Sequence, residues 1–497
     1  MSFVQNYPFF SIVLSLLCAV VSFVVPARWG KRLTYFLLCA SLYMQAHLLV
    51  FCTAGHVSFS YMMGHYPAPW GNEIAAGIIE PLMALVFVIV ILLSVSGGGK
   101  YIESDIAGGK QNLYWVMVDL AHVALMALCY TNDIFTGYVF IEICTIASCA
   151  LLCIRESGRT LIASVRYMVF ALIGSGLFLI GVIYTYAITG HLLFPQLYET
   201  IQALWAEGTY RFAMTAAIGL MTAGLAIKSG LFPFHFWMPD TYGRATPASS
   251  GILSGVVSKG YIFLLIKIIY RVIGAEIFAA SGVQTVLLLF GIAGMVAGSV
   301  SAILSRRITT MVAFSSAAQI GYVFMGLGMG GQAALLAVFF QIFAHALTKP
   351  MLFLASRDLS EASGGHQEFR HLRGAAHRDP AAGIAFTAGA LSMVGVPIFA
   401  GFIPKLYFAA ASFNMGWRTW AVLLALAVST VLNVLYFLYT AMVIWMPNAP
   451  EQREYRVHRD DRGIWAIVVF IVFNLAVGLG SAGITTLLTQ GFDLFCK

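Results

Sequence analysis

Five lysines stand inside apolar runs of this 497-residue chain: Lys228, Lys259, Lys267, Lys349 and Lys405. A lysine at a helix centre in lipid costs roughly 2.5–3.5 kcal/mol to insert, and less near an end. Glu142, in GYVFIEICTIAS, lies about ten residues into its own run, and His345 precedes Lys349 by one helical turn in FAHALTKPMLF. Asp119 and His122 share a face of another run, and His235 follows Lys228 in AIKSGLFPFHFWMPD. Burial lowers a lysine's pKa and raises a glutamate's, while a neighbouring opposite charge does the reverse. A lysine beside Glu142 can therefore switch protonation when the glutamate moves or is neutralised. Lysine releases its proton far more readily than arginine, and histidine titrates near neutral pH. The chemistry open to the set is passage of a proton or ion along a lateral relay. For any one residue alone, the competing reading is a structural pair or a satisfied core polar group. Lys267, near the end of its run, is expected to snorkel to the interface, and His235 either gates water to Lys228 or packs.

Such groups need helices across a bilayer to position them. The chain is 60% hydrophobic and 10% charged, where a soluble chain runs near a quarter charged. Fourteen candidate spans follow, near 8–26, 33–53, 78–97, 113–130, 132–153, 165–189, 212–236, 250–271, 283–304, 309–328, 332–356, 382–413, 418–446 and 464–489. The first lacks a basic n-region and a small-residue cleavage site, which predicts a retained helix rather than a signal peptide. Alternate loops carry nineteen lysines and arginines, among them PARWGKR, RESGRTLIASVR and REYRVHRDDR, against four in the opposite set: Arg211, Arg271, Arg418 and Lys497. That bias predicts a multi-pass protein of the cell inner (cytoplasmic) membrane with both termini outside. The net charge of +7 then needs no nucleic acid to explain it. Cys144, Cys149 and Cys153 share one helix at a spacing that fits packing rather than a zinc or cluster site. No Gly-rich phosphate loop follows a strand, so no cofactor is expected.

Two spans are interrupted. Lys228-Ser-Gly-Leu-Phe-Pro233 breaks span seven just beyond a charge, and VPIFAGFIP breaks span twelve just before Lys405. Non-helical backbone at membrane depth is tolerated only against protein or a cavity, and paired interruptions in corresponding places point to inverted repeats. Spans seven and twelve are five apart, so spans 4–8 and 9–13 would form two inverted five-helix repeats. The expected division is 1–112 as an N-terminal three-helix segment, 113–271 and 283–446 as the repeats, and 447–497 as a loop and final helix.

Four blocks carry a family resemblance: NDIFTGYVFIEICTIAS, KSGLFPFHFWMPDTYGRATPASSGILSGVVSKGYIF, FSSAAQIGYVFMG, and HALTKPMLF followed by GVPIFAGFIPKLYF. The chain resembles the antiporter-like membrane subunits shared by respiratory complex I, Mrp-type cation/proton antiporters and membrane-bound hydrogenases. The resemblance implies an all-α fold of inverted five-helix bundles. It matches Glu142 to the family's glutamate of span five, Lys228 to its partner lysine on broken span seven, and Lys259 to the central lysine of span eight. His345 and Lys349 match the histidine and lysine of span eleven, and Lys405 the ionisable residue of broken span twelve. The implied function is that of a proton or sodium/proton translocating subunit, without a redox centre of its own, inside a complex of further membrane subunits, homologous ones included. Tyr242 stands where the family often has histidine, and Asp119 and His122 match no general motif of it. The competing classes are a stand-alone secondary transporter of a small solute, which needs a recognition site at the midplane, and a membrane scaffold.

Overall fold

In the computed structural model of the chain, the residues described are 3–63, 66, 71–413, 415–447 and 462–495. All of REYRVHRDDR except Arg462, and Lys497 with it, lie outside them. The architecture is helical throughout: α1 (Tyr7–Val24), α2 (Ala27–Gly55), α3 (Ile79–Gly97), α4 (Gln111–Tyr130), α5 (Ile134–Cys153), α6 (Gly158–Thr189) and α7 (Arg211–Ser229). There follow α8 (Pro247–Ile273), then α9 (Val283–Leu304), α10 (Ile308–Met329), α11 (Gly331–Glu361), α12 (Pro380–Val394), α13 (Phe402–Ser412), α14 (Trp417–Trp445), α15 (Ile464–Leu479) and α16 (Ser481–Phe495). Among the described residues, twelve helices are long and apolar enough to cross a membrane, and α15 with α16 forms a further pair bent by 73°. The apolar run over 464–489 predicts one unbroken helix, whereas the chain bends between α15 and α16. The interrupted span expected over 382–413 consists of α12 and α13.

Caps mark where the helices start. Asp133 accepts the Thr136 amide at 2.6 Å to open α5, and Ser157 and Thr160 form a reciprocal capping box that opens α6. That box starts α6 ahead of the expected residue 165, so most of the RESGRTLIASVR loop is helix. Two connections also hold more structure than expected. A hairpin pairs Phe59–Met62 with Glu73–Ala76, and Phe194–Glu207 forms a helix.

Burial sorts the helices into shells. The apolar windows of α8 and α11 are entirely buried, and those of α4 and α10 nearly so, whereas α2, α6 and α14 keep wide exposed faces. The two central helices meet where Gly251 and Gly255 of α8 leave room for Pro350 of α11; a Cβ on Gly255 would stand 2.9 Å from the proline ring. There α8 loosens into a π-helical stretch over Leu253–Val257, the kind of bulge that recurs at functional sites.

The loops sort to two ends. Glu103, between α3 and α4, pairs with Lys31 near the start of α2 and with Arg462 before α15. Asp105 pairs with Arg155 after α5 and Arg357 of α11, and Arg155 also donates to the Arg244 carbonyl before α8. The hydrogen bond from Lys31 holds the Glu103 carboxyl below the usual carboxylate range, with Arg462 adding to it. At the other end Arg271 binds Glu80 at 2.9 Å and the Phe495 carbonyl at 3.2 Å, and Arg418 reaches Thr285. The basic-rich loops gather at the first end.

Candidate functional site

The two breaks are built alike. At the end of α7, Gly230 takes φ +80° and the Leu231 amide bonds the Ala226 carbonyl at 3.0 Å. At the end of α12, Gly395 takes φ +89° and the Val396 amide bonds the Leu391 carbonyl at 3.0 Å. A glycine in the left-handed region ends each helix and leaves its last carbonyls free for a cation. At the second break the cation is in place: Lys405, on α13, reaches back to donate to the Val394 carbonyl at 2.5 Å, the Met393 carbonyl at 3.3 Å and Thr430. At the first, Lys228 lies in the closing turn itself.

Lys228 is fully buried and stands 3.7 Å from Glu142 Oε1. That is an ion pair too long for a hydrogen bond. The short bond, 2.6 Å, goes instead to Thr145, one turn along α5 from Glu142. Glu142 retains 24% side-chain exposure and shares its side of α5 with exposed Phe135, Val139 and Ile146. It therefore lies at the outer wall of the fold, with the lysine behind it.

Inward from this pair, Tyr261 of α8 turns its ring toward Lys228, 5.3 Å from the ammonium. Two residues earlier on the same helix, Lys259 donates to the Ser254 carbonyl and to Ser258 Oγ at 3.2 Å. Across the α8–α11 crossing, His345 lies within electrostatic range of both Lys259 and Lys349, and both of its ring nitrogens are buried without a hydrogen-bond partner. Lys349 donates to Ser315 and to the Val312 carbonyl, both on α10. Two turns on from Ser315, Tyr322 places its ring 5.9 Å from Lys405. The six residues singled out as a relay thus lie along one path through the centre of the fold, from α5 to α13.

Other expectations fare differently. Lys267 does not snorkel: it is fully buried and donates to the Cys129 and Thr131 carbonyls at the end of α4, with the Phe194 ring over it. The carbonyls of that buried helix end are a nearer sink for its charge than the interface. His235 sits among Phe232, Phe236 and Phe314 with both ring nitrogens unpaired. Tyr242 packs edge-on between Trp237 and Phe353. Cys149 and Cys153 both contact Ser164 Oγ, at 3.1 and 2.8 Å. Asp119 and His122 lie in a separate polar cluster with α1 and α2.

Thr145, Ser258, Ser315 and the two tyrosines were not singled out, because serines and threonines are unremarkable in apolar helices and only proximity to an ammonium marks them. Asn474 of α15 belongs with them. It donates to Thr348 at 2.6 Å and accepts the Ala400 amide at 3.2 Å, tying the second break to α11. A crevice of about 780 Å³ opens at the loop end beside Arg306, Glu368 and Tyr439, and none of the relay residues lines it.

A sequence profile described as NADH:quinone oxidoreductase/Mrp antiporter, TM, matches residues 131–433. The NADH-quinone oxidoreductase subunit N of Desulforudis audaxviator (strain MP104C) is 31% identical over 397 residues, covering 79% of this chain and 76% of that one. A chain of the Mrp complex from Dietzia sp. DQ12-45-1b superposes with a TM-score of 0.87 at 23% identity, over 100% of this chain and 98% of that one. A chain of the membrane-bound sulfane sulfur reductase, an archaeal respiratory membrane complex, does so with a TM-score of 0.87 at 22% identity, over 99% and 98%. The two structures speak to the fold alone. The profile spans every residue of the buried path, and with the relative at 31% identity it makes this chain a member of the NADH:quinone oxidoreductase/Mrp antiporter transmembrane family.

Proposed function

We propose that this chain is the ion-translocating, antiporter-like subunit of a multisubunit membrane complex, moving H⁺, or Na⁺ against H⁺, through the row Glu142, Lys228, Lys259, His345, Lys349 and Lys405. One observation carries the reading. Among the described residues, the buried ammonium groups of Lys228, Lys259 and Lys349, the half-buried one of Lys405 and the imidazole of His345 line one path, and of these lysines only Lys228 has a carboxylate within reach. The others rest on carbonyls and hydroxyls. Static charge pairing would call for a carboxylate beside each.

The Glu142–Lys228 pair sets the first step. At 3.7 Å and an effective dielectric near 20, the attraction is about 4 kcal/mol. Doubling the separation halves it, enough to change proton occupancy on the lysine about thirty-fold. A neighbouring subunit pressing on the exposed side of α5 can supply that motion, since Thr145 keeps the ammonium in place while Glu142 swings. A proton leaving Lys228 passes by Tyr261 to Lys259. Like-charge repulsion through His345 then favours its onward transfer to Lys349 and Lys405, which releases it outside.

The same reading takes the fold as fourteen crossings: the three-helix segment 1–112, inverted five-helix units over 113–271 and 283–446, and the closing part 447–497. The matched glycine breaks and the sorting of loops to two ends support it. The lysine and arginine bias favours placement in the cell inner membrane with both termini outside. Relatives named for NADH-quinone oxidoreductase, Mrp and respiratory complexes favour partner membrane subunits. Those partners would supply a redox reaction or a coupled ion gradient as the driving force. The test is ion translocation by the intact complex carrying Glu142→Ala or Lys228→Ala. Both are expected to assemble and lose most transport, and normal pumping in both would refute the relay.

A further inference from the structure

Two buried acids of the described residues form no ion pair: Asp133, whose carboxylate instead caps α5 on the Thr136 amide, and Asp119. Glu80 has Arg271, Asp358 has Lys100, Asp105 has two arginines, and Glu142 has Lys228. Asp119 is fully buried on α4, and no ion pair involves it. Its Oδ2 accepts from Ser22 of α1 at 3.1 Å. Thr34 of α2 approaches the same carboxyl, yet Asp119 Oδ1 and Thr34 Oγ both lack a hydrogen-bond partner.

The nearby imidazole does not supply the missing charge. Ser15 spends its one hydroxyl proton on the Ser11 carbonyl, so at 2.7 Å Ser15 Oγ accepts from His122 Nδ1. Ser41, 3.1 Å from Nε2, then donates to it. Both ring positions are satisfied by a neutral imidazole with its hydrogen on Nδ1. Cys18 is the other titratable group α1 brings near the carboxyl, and α2 brings the hydroxyls of Thr34 and Ser41. Glu80 of α3 and Lys267 of α8 face the far end of α4, beside Cys129, while α5 turns Glu142 to Lys228. An uncompensated carboxylate has no stable place among these groups.

We propose that Asp119, cradled by Ser22 and Thr34, is a second proton-binding site, in the N-terminal helices and apart from the lysine row. Protonated, its O–H on Oδ1 donates to Thr34 Oγ and pairs both orphaned oxygens at once; deprotonated, the proton returns to water. The site lies two turns into α4 from the end that carries the basic loops, and Asn112 in the first turn donates to the Phe23 carbonyl at the closing turn of α1.

Infrared difference spectroscopy of the intact complex, stepped across neutral pH, tests this. A carboxylic C=O band is expected to grow on acidification, vanish in Asp119→Asn, and move to higher frequency in Thr34→Val, which keeps the acid and the local shape. Three results would overturn the proposal: a band from Asp119 that stays constant over the whole range, a band unmoved in Thr34→Val, or a band abolished by Na⁺ at fixed pH. The last would mark an alkali-cation site instead. Thr34→Val keeps the test valid if Asp119→Asn fails to assemble. Neither variant alters a residue of the lysine row, so failure here leaves the relay reading standing.

Discussion

The ammonium of Lys228 is held by Thr145 and only faced by Glu142, and this asymmetry decides what each does. In the proposed relay, Thr145 would fix position and Glu142 would set occupancy. Replacing Thr145 with valine keeps the volume and removes the 2.6 Å bond, leaving a buried donor short of a partner at a cost of about 1–3 kcal/mol. The variant complex is expected to assemble and to translocate ions roughly ten-fold more slowly, read as the initial rate in proteoliposomes. An unchanged rate would reduce Thr145 to packing. At this scale the ionisable residues were legible from sequence, because lipid makes a charge conspicuous. The hydroxyls were silent, since a serine in an apolar helix costs little and only the folded chain brings Ser315 to Lys349. Lys267 was misjudged for a related reason: proximity to a helix end suggested the interface, but the carbonyls at the end of α4 are its actual partners.

Helices place these groups through close backbone approach. A Cβ on Gly224 of α7 would stand 2.5 Å from the Gly174 carbonyl oxygen and 2.7 Å from the Phe178 amide nitrogen, both on α6. A Cβ on Gly174 would likewise meet Lys228 Cγ at 2.9 Å. Gly224→Ala must therefore push α6 and α7 apart, an overpacking cost of about 1–3 kcal/mol. The expected outcome is a lower thermal unfolding temperature of the complex together with reduced transport, because the same contact seats Lys228. Wild-type values for both would mean the helices absorb the methyl elsewhere. Element positions were readable from apolar run length, and both breaks from glycine and proline beside a lysine. The bend between α15 and α16 was not. Gly480 lies between two apolar stretches that read as one span, and α15 is held against the second break by Gly478, whose missing side chain admits the Ile398 carbonyl.

Across the whole molecule, the fully buried helices α8 and α11 carry three of the six residues of the proposed relay. The more exposed α5 and the end of the second break carry the ends of the row. The proposed ion path would begin at an outer wall and pass through the centre, which suits a subunit driven from its side by a neighbour. The account's central claim is that these lysines carry protons rather than merely hold charge. Arginine separates the two, since it keeps the charge but does not deprotonate. The decisive measurement is proton translocation by proteoliposomes of the intact complex bearing Lys349→Arg. The account predicts assembled complex with translocation through this subunit abolished, while wild-type translocation in that variant would contradict it.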